Sequence, residues 1–240
     1  MSPADNEPAA AARVLAVLGM HRSGTSMLTG TLQEAGVFLG KVFRDPIKHN
    51  RKGLMEPKAV LFMQEDLFHA NGGSWKDPPA ELEWKPLHLA VRDLFIDSMA
   101  GQPLWGFKDP RTLFTLEGWM NALPQLEPVG IFRHPLPVAE SLHRRNGFPL
   151  EQGFAIWARY NERLLALHAG NPFPVIEFRP GAGTMRDSLE RLVSTLDLPV
   201  RRASSEFEFF DEGIPSGTPS GRTVPPEADA LYERLVEIAL

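Results

Sequence analysis

A chain of 240 residues, 43% of them hydrophobic and with a formal net charge of −5, has the size for one α/β core and the composition of an ordinary globular protein. With no cysteine it forms no disulfide, thiolate metal site or cysteine nucleophile, which suits a reducing compartment. The acidic balance argues against general nucleic-acid binding, no apolar run reaches membrane-span length, and the first residues lack a basic-then-apolar signal, so a cytoplasmic protein is expected.

Residues 1–12 are rich in Pro and Ala without a period and read as a disordered tail, with one domain over 13–240. Val14–Leu18 is a strand, His21–Ser26 a polar loop between Gly19 and Gly24, and Met27, Leu28, Leu32 and Ala35 recur at helical spacing. A basic loop with Lys48, His49, Arg51 and Lys52 follows. Helices are expected over 58–70, 87–99, 112–123, 135–145, 148–167, 184–196 and 226–240, and strands over 104–107, 129–132 and 175–178. Residues 204–224 read as irregular. Strands alternating with helices imply a central parallel sheet covered on both faces, with ligands at the carboxyl ends of its strands. Three polar segments fall at such ends: the Gly19 loop, Lys108–Arg111, and Arg133–Arg145.

The Gly19 loop has the G-x-x-x-x-G spacing of a phosphate cradle opening a helix, yet Thr25 and Ser26 stand where a P-loop has Lys and Ser/Thr, and the basic residue is Arg22. Loop amides, Arg22 and the hydroxyls of Ser23, Thr25 and Ser26 suit an anion. On a helix Ser141 and Arg145 share a face, with Arg133 just before its start, so the three can meet one phosphate.

G-M-H-R-S-G-T-S-M-L resembles the 5′-phosphosulfate-binding loop of sulfotransferases that use 3′-phosphoadenosine 5′-phosphosulfate (PAPS), in their bacterial and tyrosylprotein-type variants. The resemblance implies a single-domain, P-loop NTPase-like sulfotransferase fold over 13–240. It places Arg22, Ser23, Gly24, Thr25 and Ser26 on the 5′ end of the donor, and Arg133, Ser141 and Arg145 on its 3′-phosphate. K-D-P-R resembles the segment whose Lys, here Lys108, serves the transfer, and G-L-M-E-P the segment carrying a catalytic Glu, here Glu56. The Lys-Thr pair with catalytic His of the cytosolic hormone-type enzymes has no counterpart, nor has their C-terminal Arg-Lys-Gly segment.

The implied reaction passes a sulfuryl group from PAPS to a hydroxyl of a glycan, lipid or small metabolite, without a metal. Arg22, Ser26 and Lys108 would stabilise the leaving phosphate. Glu56, His49 and His21 are the candidates for taking the acceptor's proton. Asp109 is expected to hold a neighbouring backbone group or Arg, and Arg111 to pair with Asp109 or a substrate anion. Phe43, Trp75, Phe207 and Phe209 are candidates to line the acceptor pocket. A small-molecule kinase using ATP and a non-catalytic nucleotide-binding protein are the rival readings, the first weakened by the missing P-loop Lys and the second by Lys108 and Glu56.

Overall fold

The computed structural model describes residues 12–46, 53–179, 182–199 and 222–240. The tail to residue 11, the basic cluster Lys48, His49, Arg51 and Lys52, the aromatics Phe207 and Phe209, and all but the end of the irregular stretch lie outside the described residues.

Four parallel strands form the sheet: β1 (Arg13–Leu18), β2 (Leu104–Lys108), β3 (Leu126–Phe132) and β4 (Val175–Glu177), in the order β2-β1-β3-β4. The apolar run of β1 is buried from Val14 to Leu18, as a central parallel strand covered on both faces requires. Alternation along it divides the core. Val14, Ala16 and Leu18 join one cluster, which also takes in Trp119, Trp157, Tyr160 and Leu235. Leu15 and Val17 face the other way, onto Leu28, Leu32, Leu189 and Leu192. Helices α1 (Thr25–Glu34) and α7 (Ala182–Thr195) cover that second face. The first face packs against α2 (Lys58–Ala70), α3 (Pro86–Asp97), α4 (Thr112–Met120), α5 (Pro135–Asn146), α6 (Leu150–Gly170) and α8 (Pro226–Glu237).

The expected elements are all present, with ends shifted by a few residues. Among these shifts, β3 starts at Leu126 rather than Val129. Its early half contains Pro128, a residue that argues against a central strand. The Gly130 N–H donates to the Pro174 carbonyl on the β4 side at 2.8 Å, and Pro128, two residues earlier, faces the same way. Pairing with β4 begins only at Gly130, so Pro128 needs no ladder donor there. Among the described residues no helix is long and apolar enough to cross a membrane.

Chain order reverses at β1: β2 lies on one side of it and β3 on the other. The crevice above the carboxyl ends of β1 and β3 is therefore the place where a doubly wound sheet takes a ligand.

Candidate active site

The loop after β1 is shaped by close packing. Gly24 has φ 89° before the first turn of α1, and a Cβ there would stand 2.6 Å from the Phe178 ring. A Cβ on Gly19 would stand 2.4 Å from the Ile131 carbonyl. Arg22 adopts φ 69°, a strained value for a residue with a side chain. The loop amides lead into the N-terminus of α1, where the helix dipole favours an anion. Ser23 is fully buried, and its hydroxyl has no hydrogen-bond partner among the described residues.

Arg22 reaches across to α5, its Nε donating to Ser141 Oγ at 2.8 Å. Arg133, directly after β3, points an Nη1 at the Arg22 carbonyl at 3.5 Å and lies over the Phe178 ring at 4.9 Å. Trp157 Nε1 donates to the Arg133 carbonyl at 2.9 Å and fixes the backbone that presents this side chain. The guanidinium has little to compensate its burial: Nε is buried without a partner among the described residues. Burial, then repulsion from Arg22 and Arg144, lowers Arg133 to about 10. Burial, then Arg145 and Arg144, lowers Arg22 as well. Guanidiniums that disfavour one another's charge favour an anion between them.

Of the three residues expected on the 3′-phosphate, Ser141 contacts Arg22, which itself meets Arg133. Arg145 stands to one side, over the Trp75 ring at 5.2 Å, with its Nε on Asn146 Oδ1 at 2.9 Å.

Lys108 closes β2 and is buried under the loop. Its Nζ donates to Glu56 Oε1 at 2.7 Å and lies 3.4 Å from Ser26 Oγ. Ser26 Oγ in turn donates to the Leu54 carbonyl at 2.9 Å. Glu56 is thus held on a strap tied both to the loop and, through the Phe43 N–H to the Glu56 carbonyl at 2.9 Å, to the chain after α1. Met55 on this strap has φ 60°, a second strained non-glycine residue beside the site. Asp109 accepts from the Arg111 backbone N–H at 2.8 Å and pairs with its guanidinium, whose other end meets Glu65 at 3.1 Å. Burial pushes Asp109 up to about 6 against the pull of Arg111.

His21 lies between rings, 4.9 Å from Trp75 and 5.9 Å from Tyr160. Burial, then the charges of Arg111, Arg145, Lys108 and Arg22, hold it well below the ordinary imidazole range.

From the sequence, Trp157 and Tyr160 read as core and Phe178 as the end of a strand, with no role in the site. All three are apolar or aromatic residues at ordinary core spacing, and only the fold sets them against Arg133, His21 and Gly24. A separate cleft of about 660 Å³ opens between α4 and α6, lined by Trp84, Phe114, Arg159 and Arg163. The Phe114 and Tyr160 rings, edge-to-face at 5.0 Å, stand between it and His21, so it is separate from the crevice above β1 and β3.

No family model and no curated protein matches the chain. Solved structures do. The sulfotransferase domain of the olefin synthase of Synechococcus PCC 7002 is similar over 93% of this chain and 94% of its own, at 18% identity and a TM-score of 0.59. A sulfotransferase from Alicyclobacillus acidocaldarius is similar over 95% and 93%, at 14% identity and a TM-score of 0.48. A retinol dehydratase in complex with androsterone and the inactive cofactor PAP is similar over 81% and 62%, at 12% identity and a TM-score of 0.38. The chain has the single-domain α/β fold of the sulfotransferases, with its parallel sheet.

Proposed function

We propose that this protein transfers a sulfuryl group from PAPS to the hydroxyl of a glycan, lipid or small metabolite in the cytoplasm. The observation that carries the reading is the contact of Arg22, Ser141 and Arg133 across the β1/β3 crevice, beside the buried Lys108–Glu56 pair. A nucleotide with a phosphosulfate at one end and a 3′-phosphate at the other matches these two cationic places. Ser23, Gly24, Thr25 and Ser26 would take the phosphosulfate. Arg133 and Ser141 would take the 3′-phosphate, with Arg145 beside them.

Transfer is in line. A bond forms between the acceptor oxygen and sulfur as the bond from sulfur to the phosphate oxygen breaks, and its electron pair stays on that phosphate. Arg22, Ser26, the loop amides and Lys108 would stabilise the charge that develops, each donor being worth roughly 10²–10³ in rate. The acceptor's proton must leave to a base, worth roughly 10²–10⁴. Among the described residues Glu56 and His21 are the candidates for that base.

Calorimetric titration tests the nucleotide class. Adenosine 3′,5′-bisphosphate, the product nucleotide, is expected to bind with undiminished affinity in EDTA, and ATP with Mg²⁺ at least about tenfold more weakly. Tighter, Mg²⁺-dependent binding of ATP would replace this reading with the kinase one.

A further inference from the structure

We propose that Met55 is a positioning residue, whose left-handed backbone and buried side chain aim the Glu56 carboxylate at Lys108. Its part in turnover rests on the sulfuryl-transfer reading above, whereas the aim itself is a matter of geometry.

The strap and the chain after α1 pair as a short antiparallel ladder, with Val42 opposite Pro57. In regular pairing of this kind a residue exchanges both of its hydrogen bonds with one partner. Phe43 divides them. Its N–H donates to the Glu56 carbonyl at 2.9 Å, while its carbonyl accepts from the Met55 N–H at 2.9 Å. Two residues of the strap therefore stand against one, which is a β-bulge. Its first residue, Met55, has φ 60°, in the form of bulge that ordinarily carries glycine at that place. A bulge shifts the alternation of side chains by one and re-aims the residue that follows. Neighbours in a regular strand point to opposite faces, yet Met55 and Glu56 are both buried.

Met55 is the joint between two pinned segments. The peptide before it is held on both sides, by Ser26 Oγ on the Leu54 carbonyl at 2.9 Å and by Phe43 on the Met55 N–H. After it, the Glu56 carbonyl is held by the Phe43 N–H. The turn at Met55 therefore decides how Glu56 is presented, and in this conformation its Oε1 meets Lys108 Nζ at 2.7 Å. Glycine would take that turn without strain, but it would bring no side chain. The methionine is strained there, and burial offsets the strain: the side chain lies in the core cluster of Leu15, Val17 and Leu39. One residue thus both anchors the strap to the core and points its carboxylate inward.

A crystal structure of the Met55→Val variant, with steady-state kinetics of a double-mutant cycle on Glu56→Gln, tests this in the full chain. A β-branched residue resists positive φ, so Met55→Val is expected to lose the bulge and carry Glu56 Oε1 beyond about 4 Å from Lys108 Nζ. Its kcat is expected to fall by roughly 10–100-fold, as for a misplacement of about 1 Å. Affinity for adenosine 3′,5′-bisphosphate is expected to stay within about threefold. In the Glu56→Gln background the same substitution is expected to change kcat by less than about threefold, because nothing remains for it to place. Met55→Leu, unbranched and of similar volume, is expected to keep kcat within about threefold of wild type. Where Met55→Val does not fold, Met55→Gly takes its place: it keeps the turn but not the anchor, and its loss of kcat is likewise expected to vanish on Glu56→Gln. Glu56 still on Lys108 in the Met55→Val structure overturns the assignment, as do equal losses of kcat with and without Glu56→Gln, the mark of a merely structural role. A wild-type chain that transfers nothing from PAPS overturns the sulfuryl-transfer reading, while the structure of the variant still decides what aims Glu56.

Discussion

Lys108→Ala is expected to reduce sulfuryl transfer by about 10³, the upper range for one transition-state donor, and to leave bisphosphate affinity within about an order of magnitude. The side chain is 1% exposed and reaches the loop at Ser26 Oγ, at 3.4 Å. Such a contact tightens as charge grows on the leaving oxygen, which is why the loss falls on turnover more than on binding. The substitution also strips Glu56, 5% exposed, of its ammonium partner. An uncompensated buried carboxylate costs about 3–5 kcal/mol, so thermal stability should fall together with activity. The double variant Lys108→Met, Glu56→Gln separates the two effects. It is expected to regain most of the stability and none of the transfer. Steady-state kinetics, calorimetry and thermal melts read all three quantities. A collapse of nucleotide binding in the stable double variant would make Lys108 a binding residue instead.

Arg133→Ala is expected to weaken adenosine 3′,5′-bisphosphate by roughly 10–100-fold, the worth of a hydrogen bond to a charged group, and AMP by less than about threefold. The asymmetry follows from the side chain's surroundings. Its pKa is held down to about 10 by burial and by Arg22 and Arg144, its Nε lacks a partner among the described residues, and Trp157 fixes its backbone carbonyl. A guanidinium in that state would gain most from a phosphate placed against it. Paired titrations of the two nucleotides measure the difference, and equal losses for both would remove Arg133 from the 3′-phosphate.

Much of the fold could be read from the chain because β1 and its loop announce themselves locally. An unbroken apolar run into Gly19, then hydroxyls and a helical period, has few alternatives. Lys108 and Arg133 were legible for a related reason: each ends a short apolar run, and strand ends in a parallel sheet share one edge. The start of β3 was hidden by Pro128, whose tolerance depends on where β4 begins, a fact no local pattern carries. The strap was hidden as well, since the Ser26–Leu54 and Phe43–Glu56 bonds join segments whose spacing is not periodic. The enclosure of His21 joins residues 21, 75 and 160, and the partners of that ring come only from the assembled fold. Helical spacing placed Ser141 and Arg145 on one face, but it did not show that Arg22 would take Ser141 while Arg145 turned to Trp75.

The sulfuryl-transfer reading stands or falls on the donor. The most direct measurement supplies the wild-type chain with ³⁵S-labelled PAPS and a panel of hydroxyl acceptors, with EDTA present, and in parallel with γ-labelled ATP and Mg²⁺. Acceptor-dependent transfer of the sulfur label and none of the phosphorus label is expected. Phosphoryl transfer from ATP, with no transfer from the phosphosulfate donor to any acceptor, would contradict it.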